Sequence, residues 1–573
     1  MRNLALALFL VPSCFFISSL HAQATNSADF DKLVDEYFDF QFQYHPTAAT
    51  AAGFHQYDSK LEDPSRESRE AEAAGLKKFL ARFAAVDKSK LSEVAVGDLE
   101  VLEGDANARL LELQDIRMWE KDPDPYSSSA TYSIFILIKR NFASQEERLR
   151  SVIARERLIP RNLEIARKNL KNPPRIYTEI AIEQLPGTIG FYKNDVPAAF
   201  TEVKDERLLA EFRAANAAVI EAEEKYQEFM KKDLLPVSKG DFRIGGENYR
   251  KKLLYEEMVD VPLDRLLKIA YEDLHRNQQR MKETAAKIDP SHTPREVLAQ
   301  LEKDHPPADQ LLQTFRDTLS GLRDFIKEKQ IITIPSLVLP IVEETPAFAR
   351  ALTTASMDTP GAYEKVAKEA MFNVTIPQPD WTPQHTEAWM QGFNRGTIIS
   401  TAVHEVYPGH YTQFLWVQAA PSKTRKLLYS GTNSEGWAHY TEQMMLDEGY
   451  GNGDLKLRMG QLQDALLRDA RFISGIEMHI GKITREQSRR LFIDEGYQVP
   501  PVADEESKRG TSDPTYLMYT VGKLQIMKLR EDYRKKMGDK FTLQDFHDKF
   551  MEQGAVPLKI IRKAMLGDDS PTL

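Results

Sequence analysis

The sequence predicts a mainly α fold, a large helical body with a small β-sheet beside the helices that carry its most distinctive motif. Three observations predict it. Long stretches place apolar residues three to four apart with charges between them, the pattern of an amphipathic helix. Prolines and glycines cluster between those stretches. Two short segments are β-branched and bounded by proline, and both lie just before the motif "HEVYPGH" at 404–410.

In chain order, "MRNLALALFLVPSCFFISSLHAQA" comes first. Its cationic start at Arg2, its apolar run and the small-x-small ending Ala22-Gln23-Ala24 predict a signal peptide over residues 1–24. Cleavage is expected after Ala24, which makes the protein exported, periplasmic or secreted. A membrane anchor is the rival reading, but Pro12 and Ser13 interrupt a run that is already short. Lipid attachment at Cys14 is another, for which "VPSC" is a poor match. Cys14 is the only cysteine, so the mature chain would have no disulfide, thiolate metal site or cysteine nucleophile.

Helical patterns follow in "FDKLVDEYFDFQFQY", "SQEERLRSVIARERLIPRNLEIARKNL", "DERLLAEFRAANAAVIEAEEKYQEFMKK" and "LDRLLKIAYEDLHRNQQRMKETAAKI". Breaks at 234–249 and 288–294 suggest a helical region over 25–240 and a second region, 241–573, that carries the chemistry. The predicted strands are "IITIPSLVLPIVEE" (331–344) and "MFNVTIP" (371–377). The second is a candidate edge on which an extended peptide could add a strand, or else an interior strand. A net charge of −10 and the lack of a basic run argue against a dedicated nucleic-acid binder. No segment after the first is long and apolar enough to cross a bilayer.

"HEVYPGH" begins like the zinc-protease signature His-Glu-x-x-His, but its second histidine comes two residues late. Four apart on a regular helix, two histidines lie about 40° apart around the axis and can grip one ion. Six apart they would diverge by about 120° and stand about 9 Å apart along the axis. Pro408 removes an N–H that would bond the His404 carbonyl, and Gly409 tolerates unusual backbone angles. A local bulge at Tyr407-Pro408-Gly409 would swing His410 back beside His404 and leave Glu405 as the base. The competing reading is a helix that ends at Pro408, with two surface or capping histidines.

Catalytic zinc takes three protein ligands and keeps one position open. "NSEGWAHYTEQMMLDEGY" (433–450) reads as an amphipathic helix capped by Ser434, with Glu435 in its first turn. His439 and Glu442 follow at i+4 and i+7 on the same face. Glu435 is the candidate third ligand, in the His, His, Glu arrangement of gluzincins. A carboxylate favoured by the helix dipole is the plainer alternative. His439 is an alternate ligand or an outer partner, and Glu442 a candidate acceptor for a ligand histidine.

"HEVYPGHYTQ" followed by "SEGWAHYTEQMM" resembles the bacterial family known as domain of unknown function 885. Its hallmark is His-Glu-x-x-Pro-Gly-His-x-x-Gln, then Glu-Gly-Trp-Ala-x-Tyr-x-Glu. "FDFQFQYHPTAATAAGFHQYDSKLED", "FRIGGENYRKKLL" and "MYTVGKLQIMKLR" extend the resemblance over nearly the whole mature chain, with Met518 where serine more usually precedes the tyrosine. The family is regarded as similar to gluzincin-type peptidases. The resemblance implies a zincin-like fold and one Zn2+ per chain on His404, His410 and Glu435, with Glu405 as general base.

Tyr519 and His479 are the candidate donors to the oxyanion, and the alternatives are a core aromatic and a helix-end histidine. Arg468 and Arg471 could bind a substrate carboxylate or pair with acidic neighbours. The expected activity is a zinc peptidase acting on peptides. A zinc hydrolase of another amide, or a non-catalytic helical peptide-binding protein, are the alternatives.

Overall fold

The computed structural model describes residues 20–573, except 337, 347–349 and 351–353, and the side chains from residue 28 onward. Residues 1–19, most of the predicted signal peptide, lie outside the described residues. The fold is mainly α, with 71% helix, 2% strand and one three-stranded sheet among the described residues. No helix among them is long and apolar enough to cross a membrane.

The sheet has the order β1 (Ile341–Glu344), β3 (Met371–Val374), β2 (Ala355–Asp358). β1 runs parallel to β3 with Val342 opposite Phe372, and β2 runs antiparallel with Met357 opposite Phe372. Two expectations change here. The described residues of 331–340 are not a strand, because Pro335 and Pro340 cannot donate to a ladder. This stretch is held instead by hydrogen bonds from Trp416 Nε1 to the Thr333 carbonyl (2.9 Å) and from the Tyr411 hydroxyl to the Val338 carbonyl (2.8 Å). Second, "MFNVTIP" supplies the interior strand, buried at all four residues, and the antiparallel edge is β2. β2 reads "ASMD", which has neither alternation nor β-branching to mark it.

Apolar faces of the helices meet in several cores. One lies within residues 126–234, and another joins Leu111 and Ile116 to Leu253, Leu266, Leu462 and Val521. The largest joins the sheet to the helices Leu311–Glu328, Arg395–Glu405 and Gly431–Asp447, so the sheet packs beside the motif. Ion pairs from Lys139 to Glu343 and from Arg140 to Asp358 (2.6 Å) fasten the helix Asp124–Lys139 and the residue after it to β1 and β2.

Two helix crossings set the site. The helix Gly431–Asp447 meets the helix Met518–Met537 at Gly436 and Gly522, and Arg395–Glu405 meets Leu455–His479 at Gly396 and Gly460. A Cβ on Gly522 would fall 1.8 Å from the Thr432 carbonyl oxygen and 2.7 Å from the Gly436 Cα. Backbones can approach this closely only where both residues lack a side chain. Gly522→Ala should therefore destabilise the fold by about 1–3 kcal/mol, the usual cost of overpacking. Gly187→Ala, where no atom lies within 4 Å, should be neutral or slightly stabilising. Urea denaturation of the two variants beside the parent checks both.

Candidate metal centre

The motif forms two helices rather than one bent helix. Asn394 caps the first, Arg395–Glu405, by accepting the N–H groups of Gly396 and Thr397. The second, His410–Val417, starts at the late histidine. Between them the Tyr407–Pro408 peptide bond is cis, and the Gly409 N–H bonds the Val403 carbonyl at 3.0 Å. Gly409 is required by close approach, since a Cβ there would lie 1.8 Å from the His404 carbonyl oxygen. The result is the one the bulge was expected to give. The imidazole rings of His404 and His410 stand 4.8 Å apart, nearly perpendicular.

The Glu435 helix is tied to this turn at two points. Buried Trp437 donates its Nε1–H to the Pro408 carbonyl (2.8 Å), and Gln413 donates to Asn433 Oδ1 (2.9 Å). The helix begins at Gly431, so Ser434 is not its cap and Glu435 lies beyond its first four residues. Its first N–H groups are met from far away in sequence. Buried Glu257 accepts the N–H of Gly431 (2.9 Å), the N–H of Thr432 (2.8 Å) and the Thr432 hydroxyl (2.6 Å). A carboxylate at this end also meets the positive pole of the helix dipole.

These ties bring Glu435 Oε2 to 3.4 Å from His404 Nε2 and 3.4 Å from His410 Nε2. Zinc bonds of 2.0–2.2 Å in a tetrahedron separate neighbouring ligand atoms by about 3.3 Å. Glu435 Oε2 therefore stands one tetrahedral edge from each imidazole nitrogen, and it is buried with no donor other than these two imidazoles. Atoms of Glu405 also fall within 4.8 Å of the two histidines. Two carboxylates thus stand at the third position, and Glu435 is the one whose two distances match the tetrahedral edge. A Glu405 oxygen accepts the backbone N–H of Met357 on β2, and burial raises its pKa more than the neighbouring histidines lower it.

Glu442 organises the layer behind. Its Oε1 meets His404 Nδ1 at 2.7 Å and Arg468 Nη2 at 3.0 Å, and its Oε2 meets His439 Nδ1 at 3.0 Å. Burial alone would raise the Glu442 carboxyl, but Arg468, His439 and the bond from His404 hold it well below the usual range. A Glu442 carboxylate fixes a proton of His404 on Nδ1 and turns Nε2 towards Glu435. Burial lowers His404, yet its bonds to Glu435 and Glu442 outweigh that and raise it to about 9. The cluster is built for positive charge. His439, pushed down to about 3 by burial, is neutral and bonds Glu442, and it lies outside the group of residues close enough to share one ion.

Tyr519 stacks on the His404 ring at 6.3 Å, and burial pushes its phenol up. His479 does not join the cluster. Its Nε2 donates to the Gly510 carbonyl (2.8 Å), its Nδ1 accepts the Ile244 N–H (3.4 Å), and it lines a cavity of about 220 Å3 with Glu112, Tyr177 and Lys252. Both ring nitrogens are committed to backbone, so the oxyanion role proposed for it falls away. Arg468 and Arg471 are internal as well. The first serves Glu442, and the second forms two 2.7 Å bonds to Glu506. Sequence reasoning missed Glu257, Trp437 and β2, and of these Trp437 carried a signal, since it stands in the hallmark run.

The profile of a family described as bacterial protein of unknown function (DUF885) matches residues 46–565. Among solved structures, the fold is similar to a candidate lipoprotein of unknown function from Shewanella oneidensis. The TM-score is 0.79 at 27% identity, covering 94% of this chain and 99% of that one. A candidate lipoprotein from Colwellia psychrerythraea has the same TM-score at 17% identity, covering 94% and 98%, a likeness of fold alone. No curated protein matches the chain.

Glu442→Gln should weaken zinc binding by about 10–100-fold, the usual effect of losing a ligand's outer carboxylate. Competition with a fluorescent chelator measures this directly, and an unchanged affinity would deny Glu442 its orienting role.

Proposed function

The chain belongs to the bacterial DUF885 family, and we propose that it is an exported, zincin-like zinc peptidase that hydrolyses peptide bonds of peptides. One observation carries this reading: the buried Glu435 Oε2, 3.4 Å from each of two histidine nitrogens and met by no other donor, at the spacing of zinc ligands. His404, His410 and Glu435 would hold the ion. When bound, zinc supplies a Lewis acid that lowers the pKa of a water and polarises a carbonyl.

The protein's own groups do the rest. Glu405 accepts the proton of the attacking water and passes it to the leaving nitrogen. Its raised pKa suits a group that must both take and give a proton. Tyr519 donates its O–H to the developing oxyanion. β2 is a sheet edge whose Met357 N–H already reaches Glu405, so an extended peptide pairing there would run past the base.

The surroundings favour peptides over folded proteins. Tyr429, just before the Glu435 helix, is 76% exposed, and Tyr132 is exposed too. Burial nevertheless pushes both phenols up, and each feels the other or Glu435. Tyr132 and Tyr429 thus offer aromatic surface beside the Glu435 helix on which peptide side chains could rest. Export is supported by the leader read over residues 1–24 and by the lipoprotein descriptions of the two structural relatives.

Zinc-loaded protein should release fragments from a mixed peptide library, resolved by mass spectrometry. Glu405→Gln should slow release by about 10²–10⁴-fold, the usual contribution of a general base, with its zinc content unchanged. Equal release by both proteins would remove Glu405 from the mechanism.

A further inference from the structure

We propose that Arg509 is the subsite for a substrate's C-terminal carboxylate, so that the enzyme trims peptides from the free C-terminal end. This rests on the peptidase reading. Three arginines surround Tyr519: the guanidinium groups of Arg468 and Arg471 lie 5.5 and 5.0 Å from its ring, and Arg509 Nη2 donates to its hydroxyl at 3.4 Å. Two of them are spent inside the protein, on Glu442 and Glu506.

Arg509 differs in three ways. It sits at the end of the helix Pro500–Ser512 with its side chain 39% exposed. Its Nε and Nη2 both donate to a single oxygen of Asp513, at 3.2 and 3.0 Å, and Nη1 has no hydrogen-bond partner among the described residues. A half-exposed pair four residues apart contributes little to stability, so structure alone gives little reason for the placement. A guanidinium with an unengaged face is the group that grips a carboxylate through two parallel hydrogen bonds.

Its position fits an end-group anchor. Tyr519 touches both groups, Arg509 through its hydroxyl and the His404 ring through its face, so one phenol links the guanidinium to the reacting centre. An extended peptide advances about 3.5 Å per residue. A carboxylate held one or two residue lengths from the centre leaves the last or next-to-last peptide bond at Glu405, and hydrolysis there releases an amino acid or a dipeptide.

The test uses matched peptides that end in a free acid or in an amide. Their binding is measured by calorimetry to zinc-loaded Glu405→Gln protein, alone and combined with Arg509→Gln or Arg509→Lys. The acid should bind at least about tenfold tighter than the amide. Arg509→Gln should abolish that preference, while Arg509→Lys keeps part of it, which a misfolded variant would not. Equal binding of acid and amide, no binding of either, or a preference that survives Arg509→Gln would overturn the proposal.

Turnover by the wild type separates the two readings. Cleavage of acid and amide peptides at equal rates would leave the peptidase standing and remove the carboxylate subsite. Binding that prefers the acid through Arg509, with neither peptide cleaved, would keep the subsite and remove the peptidase.

Discussion

The contact between Gly409 and the His404 carbonyl is the constraint on which the centre depends. Any side chain at 409 would overlap that oxygen, 1.8 Å from where its Cβ must lie. With glycine there, the Gly409 N–H closes onto Val403 and the chain folds back, so that a new helix opens with His410 facing His404. Two residues that would ruin the spacing on a continuous helix become harmless, because the helix stops. Trp437 then locks the turn through the Pro408 carbonyl and fixes the height of Glu435, two residues earlier on the same helix.

Burying this much charge would be costly unless each group were answered. Glu442 satisfies two histidines and an arginine, and Glu257 satisfies the start of the Glu435 helix from a different part of the chain. Glycine pairs at the helix crossings bring these carboxylates close enough to do so. Glu435 Oε2 is met only by the two imidazoles, at 3.4 Å each. A buried carboxylate oxygen held between two imidazoles at that spacing points to a cation.

What could be read in the sequence was the chemistry carried by residue type and spacing. Amphipathic periodicity gave the mainly α body, and the Pro-Gly insertion foretold that His410 would return to His404. Glu435 and Glu442 were legible as a candidate ligand and a candidate acceptor, with a plain helix-dipole role as the alternative for Glu435. Long-range partners were not legible. Glu257 lies 174 residues from the N–H it caps, and no local pattern marks a cap supplied from elsewhere, so Ser434 was the natural but mistaken choice. β2 lacked any strand signature, and its place beside the motif comes from tertiary packing. His479 was misplaced because a histidine before a glycine looks the same whether it faces a site or two backbone groups.

The most direct measurement is zinc per chain, by elemental analysis, in the parent and in His410→Ala after dialysis against trace zinc. One zinc in the parent and almost none in the variant is the predicted result, since three ligands would become two. Equal zinc in both proteins, or none in the parent, would contradict the account, because the turn would then bring His410 to His404 for some purpose other than holding a metal.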